Sequence, residues 1–559
     1  MRNRRISRRD FLIATSGVTG ALVLGGMAYL SATRPTTPGT IMTSTIASTV
    51  PETSVHSTTS YGKLDPREPG NFSNHLRLPT SSNGIFGIIR SPSSVSIHTR
   101  PRLLDLAETV KKLWVYEEIL NEAPTINPII MLRRGENFKA SFRNEIPRET
   151  IIHWHGLTVD WRNDGHPYYA IDHGGSYEYE FTVNNRGGTY WYHPHPHPAA
   201  EQIYKGLASF FIIEDSDEDA LRQSLDLTLG KTDIPLLIQD KRFEQGDQLT
   251  YDPNPMERLM GFLGDTVLVN LTLKPYLDVD TRYYRFRILN GSTARICKLA
   301  FVKNEKRLPF HIIGVDGGLL EKPELVDEVF IAPAERVDAV LDLRSLSQGD
   351  IVFLKSLGFD PMHMEMMMGS VMNHVETGSK LLEGEDFFLL KLIVRNKVAY
   401  DGEIPQKLSI IEPINTTNAT ERAIHLSSSM GGQMMQWLIN GHTFNMDSYP
   451  IQLKRDTVEI WKIINMPQSM PHPMHIHGYQ FQVLNRINSP PEINRLRTDN
   501  RGRIPTDLGW KDTMLIWPGE TVKIAIDFTT RFAGDQKYLF HCHNLEHQDN
   551  GMMINLKVT

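Results

Sequence analysis

Two stretches far apart in this chain run through the same order of residues. Arg134-Gly135-Glu136-Asn137-Phe138-Lys139-Ala140-Ser141-Phe142-Arg143-Asn144 leads into Ile152-His153-Trp154-His155-Gly156. Arg455-Asp456-Thr457-Val458-Glu459-Ile460, running on to Asn465, leads into His475-Ile476-His477-Gly478. A second histidine pair follows each: Tyr190-Trp191-Tyr192-His193-Pro194-His195, and Tyr538-Leu539-Phe540-His541-Cys542-His543. Between them, Glu335-Arg336-Val337-Asp338-Ala339-Val340-Leu341-Asp342-Leu343 and Gly349-Asp350-Ile351-Val352-Phe353-Leu354 keep the strand-turn-strand order without histidines. Such repetition means one supersecondary unit used three times. Within a copy, Val522, Ile524, Ile526 and Phe528 alternate with Lys523 and Asp527. A period of two, punctuated by Gly, Pro and Asn, describes antiparallel strands of a sandwich or small barrel. The chain is expected to be all-β, with three barrels over 75–217, 222–385 and 390–559.

The N-terminus carries a different pattern. Ser7-Arg8-Arg9-Asp10-Phe11-Leu12 opens an uncharged stretch that reaches Leu30. Paired arginines before a moderately apolar segment resemble a twin-arginine export signal. The stretch is also long enough to serve as a retained membrane anchor. Export to the periplasm, cell surface or medium is expected. Nineteen of the thirty residues from Ser31 to Ser60 are Ser, Thr or Pro, so 31–74 reads as a linker. Residues 1–30 hold five Arg and one Asp, four positive charges in surplus, so without them the net charge goes from −6 to −10. An acidic body argues against a nucleic-acid partner. Only two cysteines are present, Cys297 and Cys542, so a disulfide framework is not expected if Cys542 binds metal.

The histidine pairs point to metal. In His-x-His on a strand both rings leave one face, while the middle residue leaves the other. His153 with His155, His193 with His195, His475 with His477, and His541 with His543 offer eight imidazoles from two domains, suited to a three-metal cluster at their interface. Cys542 faces the opposite way from His541 and His543. A thiolate there, with His547 and Met552 shortly after, supplies three of the four ligands of a blue-copper centre, trigonal His₂Cys with a weak axial Met. His472, three residues before His475, is the missing second imidazole. The two centres would then be joined by a few covalent bonds.

These motifs, over about residues 75–559, resemble those of the multicopper oxidases. The resemblance implies three cupredoxin-like Greek-key barrels holding four copper ions. Type 1 copper would take His472, Cys542, His547 and Met552. Type 2 copper would take His153 and His475. The type 3 pair would take His155, His193, His195, His477, His541 and His543. It also implies four one-electron substrate oxidations coupled to reduction of dioxygen to water, with Cys542, His541 and His543 as the electron path. Asp164, in Asn163-Asp164-Gly165, matches a proton-relay acid of the family, although an Asp-Gly turn accounts for it equally simply. Where relatives often carry Glu after the last histidine, this chain has Gln548, leaving Glu546 or Asp549 to substitute.

Residues 362–372 hold six methionines in eleven positions, and thioethers bind Cu(I). That run resembles the methionine-rich insert of bacterial cuprous oxidases, with Met362, Met364, Met366 and Met470 as candidate Cu(I) ligands. Gln468 stands where those enzymes have Asp. The bland reading is that Met fills irregular apolar space or forms a lid. The expected function is a monomeric cuprous oxidase for copper detoxification, also acting on phenols or aromatic amines. The alternatives are a general laccase and a copper store. Relatives that keep the barrels but lose the ligands serve as structural proteins, yet here all ten histidines and the cysteine are present.

Overall fold

The computed structural model describes residues 65–79, 84–118, 124–362, 378–431 and 434–559. The export segment 1–30 expected above, and linker residues up to 64, lie outside the described residues. No helix among the described residues is long and apolar enough to cross a membrane.

Six sheets form three sandwiches, each closing on a core drawn from both of its sheets. In the first, one sheet runs in the order Ile88–Arg90, Ile129–Arg133, Ser209–Glu214, Gly188–Pro194, Ile152–His155. Its partner runs Thr125–Ile126, Val110–Glu118, Val95–Asp105, Asn137–Asn144, Ser176–Thr182. In the third, Met434–Ile439, Thr420–Gly431, Val458–Asn465, Thr521–Asp527 and Phe481–Ile487 face Ile451–Leu453, Met553–Val558, Gln536–Cys542, His472–Ile476 and Thr513–Ile516. The middle sandwich packs two seven-stranded sheets.

The pairing is mixed rather than antiparallel throughout. Ile129–Arg133 runs parallel to Ser209–Glu214, Asp233–Lys241 to Tyr283–Asn290, and Thr420–Gly431 to Val458–Asn465. The cause is connectivity: the chain crosses between the two sheets of a sandwich, so neighbours in a sheet are not neighbours in sequence. Two edges also differ from the spacing-based division. Asn74–His75 adds a parallel strand beside Pro275–Asp280, and Phe387–Asn396 pairs with Ile351–Ser356, so both join the middle sandwich.

Register aligns the histidine strands. His153 stands opposite His193, and Tyr192 opposite Trp154. In the third sandwich His475 stands opposite His541, and Met474 opposite Cys542. Strand alternation then sends Trp154 into the first core and Cys542 into the third, away from the histidines beside them. The glycine closing each His-x-His-Gly has positive φ, +84° at Gly156 and +71° at Gly478. A Cβ at Gly156 would collide with the Asp512 carboxylate, and one at Gly478 with the Tyr538 ring.

Candidate metal centres

Three donors meet inside the third sandwich. His472 Nδ1 and His547 Nδ1 are 3.1 Å apart, and Cys542 Sγ lies 3.6 and 3.5 Å from them. All three residues are fully buried, as is Met552, whose carbonyl accepts from the Cys542 amide. Burial holds His472 well below the usual imidazole range, reinforced by His547, and pushes His547 down to about 3. Burial also pushes the Cys542 thiol up. Neutral imidazoles with converging lone pairs, beside a thiol that ionises only with a cation at hand, fit a soft metal ion. Ser469 Oγ lies 2.9 Å from His472 Nε2 and orients the ring. Trp437 covers both rings, with centroids at 4.9 Å from His472 and 4.8 Å from His547, and its indole N–H donates to the Leu259 carbonyl.

The eight other histidines converge between the first and third sandwiches, and none is more than 1% exposed. Their ring nitrogens fall into three groups. His153 Nε2 and His475 Nε2 are 3.4 Å apart. His193 Nε2 lies 3.2 Å from His155 Nδ1 and 3.4 Å from His543 Nε2. His541 Nε2 lies 3.3 Å from His195 Nε2 and 3.1 Å from His477 Nε2. Rings stack across the sandwiches, His153 on His477 at 3.8 Å and His155 on His475 at 3.7 Å. Burial depresses the group, to about 3 at His153, where the His541 imidazole adds to it, and to about 4 at His541. A cluster this dense cannot take up protons, so metal ions are its natural occupants.

Six of the eight outer ring nitrogens are held by a second layer of acceptors, while His195 Nδ1 and His543 Nδ1 make no hydrogen bond among the described residues. His477 Nδ1 donates to Asp164 Oδ2 at 2.7 Å, and His153 Nδ1 to the Asp164 carbonyl at 2.5 Å. His475 Nδ1 donates to the Asp512 carbonyl at 2.8 Å, and His155 Nε2 to Asp512 Oδ1 at 3.0 Å. His193 and His541 donate to the carbonyls of Pro194 and Cys542. Each bond fixes a tautomer and leaves the inward nitrogen as donor. His155 is turned the other way from its neighbours, presenting Nδ1, because Asp512 holds Nε2. Asp512 is in turn gripped by Arg336 of the middle sandwich. Neither Asp512 nor Arg336 was legible as a site residue in the sequence, since no local motif marks them.

Asp164 is fully buried, burial pushes its carboxyl well above the usual carboxylate range, and Oδ1 makes no hydrogen bond among the described residues, lying 3.6 Å from His153 Nδ1. Both amide atoms of Gln548 are likewise buried and unpartnered. Burial raises Glu546 to about 8 and Asp549 to about 7. Tyr251 donates to Glu546 at 2.8 Å, and the amides of Ala199 and Ala200 donate to Asp549. Met470 is half-buried against the third core, and the Met362 amide donates to Asp360. Met364 and Met366 lie outside the described residues.

Family models described as multicopper oxidase match residues 108–218 and 414–559. The chain is 31% identical to the multicopper oxidase mco of Staphylococcus epidermidis, over 78% of this chain and 82% of that one. The crystal structure of the McoA multicopper oxidase from the hyperthermophile Aquifex aeolicus superposes with TM-score 0.76 and 41% identity, over 87% of this chain and 99% of that one. A multicopper oxidase from Campylobacter jejuni, described as a metallo-oxidase, superposes with TM-score 0.66 and 27% identity, over 87% and 94%. The three sandwiches are thus cupredoxin-like barrels, and the chain belongs to the multicopper oxidase family of copper-using oxidoreductases.

Proposed function

We propose that the chain oxidises Cu(I), and phenols or aromatic amines alongside it, with dioxygen as the final electron acceptor and water as product. In this reading His472, Cys542, His547 and Met552 hold type 1 copper. His153 and His475 hold type 2 copper, and the groups His155–His193–His543 and His195–His477–His541 hold the type 3 pair. Copper bound there supplies the one-electron steps and the reduction of dioxygen. The observation that carries the reading is Cys542 itself. Its side chain joins the N,N,S group in the third core, while His541 and His543 on either side belong to the two separate groups of three imidazoles.

The chain's own residues do the rest. Trp437 keeps water from His472 and His547. Asp164 Oδ2 anchors His477, leaving Oδ1, which makes no hydrogen bond of its own, to pass protons towards the cluster. Glu546 and Asp549 stand where Gln548 cannot act. Cu(I) as substrate is favoured by the methionine supply: Met362 and the 362–372 run in sequence, Met470, and Met430 and Met435, which are 66% and 40% exposed on the two strands of the hairpin that carries Trp437. The physiological role that follows is copper detoxification outside the cytoplasm, after twin-arginine export as a monomer. The test is copper content with oxygen uptake on Cu(I) and on a bulky phenol, before and after removing residues 361–372. Four coppers per chain, with Cu(I) turnover falling and phenol turnover rising on removal, is expected. The reverse pattern favours a general laccase, and bound copper without oxygen uptake favours a store.

A further inference from the structure

A line of oxidisable rings leads away from the imidazole cluster. Trp154 sits between His153 and His155 on their strand and points into the first core. Its ring centroid is 5.3 Å from Tyr179, Tyr179 is 4.9 Å from Tyr177, and Tyr177 is 5.7 Å from Tyr169. Tyr169 then meets Tyr168 at 5.2 Å and Trp161 at 4.8 Å. Burial falls along the way: Tyr179 is buried, Tyr177 and Tyr169 half-buried, and Tyr168 is 60% exposed. In other directions Trp154 meets Phe138, Phe181 and Phe211, whose rings are far harder to oxidise, and Tyr192, whose branch leads on to Tyr116 and stays fully buried. Spacings of this size are ordinary packing contacts. Packing alone does not require that one direction from the cluster be free of Phe and end in water.

We propose that Trp154, Tyr179, Tyr177, Tyr169 and Tyr168 form a discharge route that protects the cluster, an inference resting on the dioxygen-reducing reading above. Electron tunnelling decays steeply with distance, so rings in contact pass charge by short hops where one long jump is too slow. When reductant runs short, an oxidising equivalent stranded at the cluster takes one electron from Trp154. Tyr179, Tyr177 and Tyr169 refill the vacancy in turn, and Tyr168 ends one electron short. Its phenol proton goes to water. An external one-electron reductant, a thiol or an enediol, then restores the phenol with a proton from water. The external reductant loses one electron, the cluster gains one, and no protein bond breaks. The Lys537 ammonium, 4.9 Å over the Trp161 ring, disfavours positive charge on Trp161 and directs the exit to Tyr168.

The test uses copper-loaded enzyme and the variant Tyr169→Phe/Tyr177→Phe, which keeps both rings and removes both phenols. Tyr168→Phe, at an exposed position, is the second variant, and Tyr283→Phe, off the route, is the control. Each is exposed to dioxygen with too little reductant, and oxidised residues are mapped by mass spectrometry while free-radical EPR signal is followed. Wild type and control should be modified at Tyr168. The double variant should lose that modification several-fold, gain oxidation at Trp154 and the ligand histidines, and lose copper several-fold faster. Tyr168→Phe should give the same inward shift. Normal oxygen uptake with ample reductant, combined with an unchanged oxidation map, overturns the route alone. No uptake in copper-loaded wild type overturns the dioxygen reading and the route with it.

Discussion

The first and third sandwiches build their histidine strands in one register, yet only the third holds a second donor group. His153 faces His193 across one ladder as His475 faces His541 across the other. The middle residues differ: Trp154 against Ile476 in one strand, Pro194 against Cys542 in the other. A residue between two cluster histidines is sent by alternation into the core behind them. Proline there brings nothing a metal can use, whereas cysteine brings a sulfur. The third core then has only to add His472, His547 and Met552 around it. One substitution in a repeated strand thereby couples a site inside a barrel to a site between barrels.

Cys542→Ser breaks the comparison most severely, because it makes the third strand as inert as the first. Visible absorption from the thiolate and oxygen uptake should fall to background, while the eight imidazoles keep their copper. A retained band, or uptake close to wild type, would show that the sulfur is not the link.

The two outer sandwiches also dock on the middle one through different buried ions. On the first side, Glu218, on the helix Ser216–Ser224, accepts from Arg285 at 2.7 and 2.8 Å and from Arg287 at 2.9 Å. On the third side, Asp512 and Lys511 meet Arg336, Asp316 and Glu335. Glu218→Gln should lower unfolding free energy by about 1.5–3 kcal/mol, since both guanidinium groups lose a charged hydrogen-bond partner while Asp233 and Asp338 still pair with them. Burial alone would raise the Glu218 carboxyl, but the two arginines outweigh it and hold the group far below its ordinary 4.5. The folded state therefore binds fewer protons than the unfolded chain below that pH. The stabilisation is complete above about 4.5 and drains away as pH falls. Denaturation midpoints measured from neutral pH into acid should fall steeply for wild type and less so for Glu218→Gln. Parallel slopes would remove Glu218 from the junction.

Much of this was legible because ligands sit at fixed steps along strands. Two-residue spacing placed His153, His155, His475 and His477 on one face, and the return to Cys542, His547 and Met552 is local. Where the chain left local order, legibility ended. Asp512 follows His477 by a long excursion and is recognisable only once Arg336, from the copy without histidines, is seen to grip it. Trp437 covers its histidines from a hairpin that no spacing ties to them. Asn74–His75 is too short to show any period, and Phe387–Asn396 reads alike as the end of one barrel or the start of the next.

Asp512 offers the next sharpening. In the first His-x-His the acid holds His155 by its side chain, whereas in the third the backbone carbonyl of the same residue holds His475. Asp512→Asn weakens only the first of these. Copper retention by the imidazole cluster should drop about 10–100-fold, the usual cost of losing such a partner, with the visible band of the thiolate centre untouched. Equal loss from both centres, measured by chelator competition, would mean that the substitution damages the fold instead.

The smallest effect concerns the residue between the histidines. Ile476 is fully buried and faces the third core, as Trp154 faces the first. If alternation fully separates the faces, shortening Ile476 is felt by packing alone. Ile476→Val should then cost about 0.5–1.5 kcal/mol in chemical denaturation, the loss of one buried methyl group. Copper content and the visible spectrum should stay as they are, because no donor moves with the lost methyl. The core that receives this methyl is, however, the core that contains Cys542 and Met552. A shifted visible band in Ile476→Val would show that the third core tunes its metal through packing. The likeness to the first sandwich, whose hydrophobic cluster contains neither cysteine nor methionine, would then stop at the backbone.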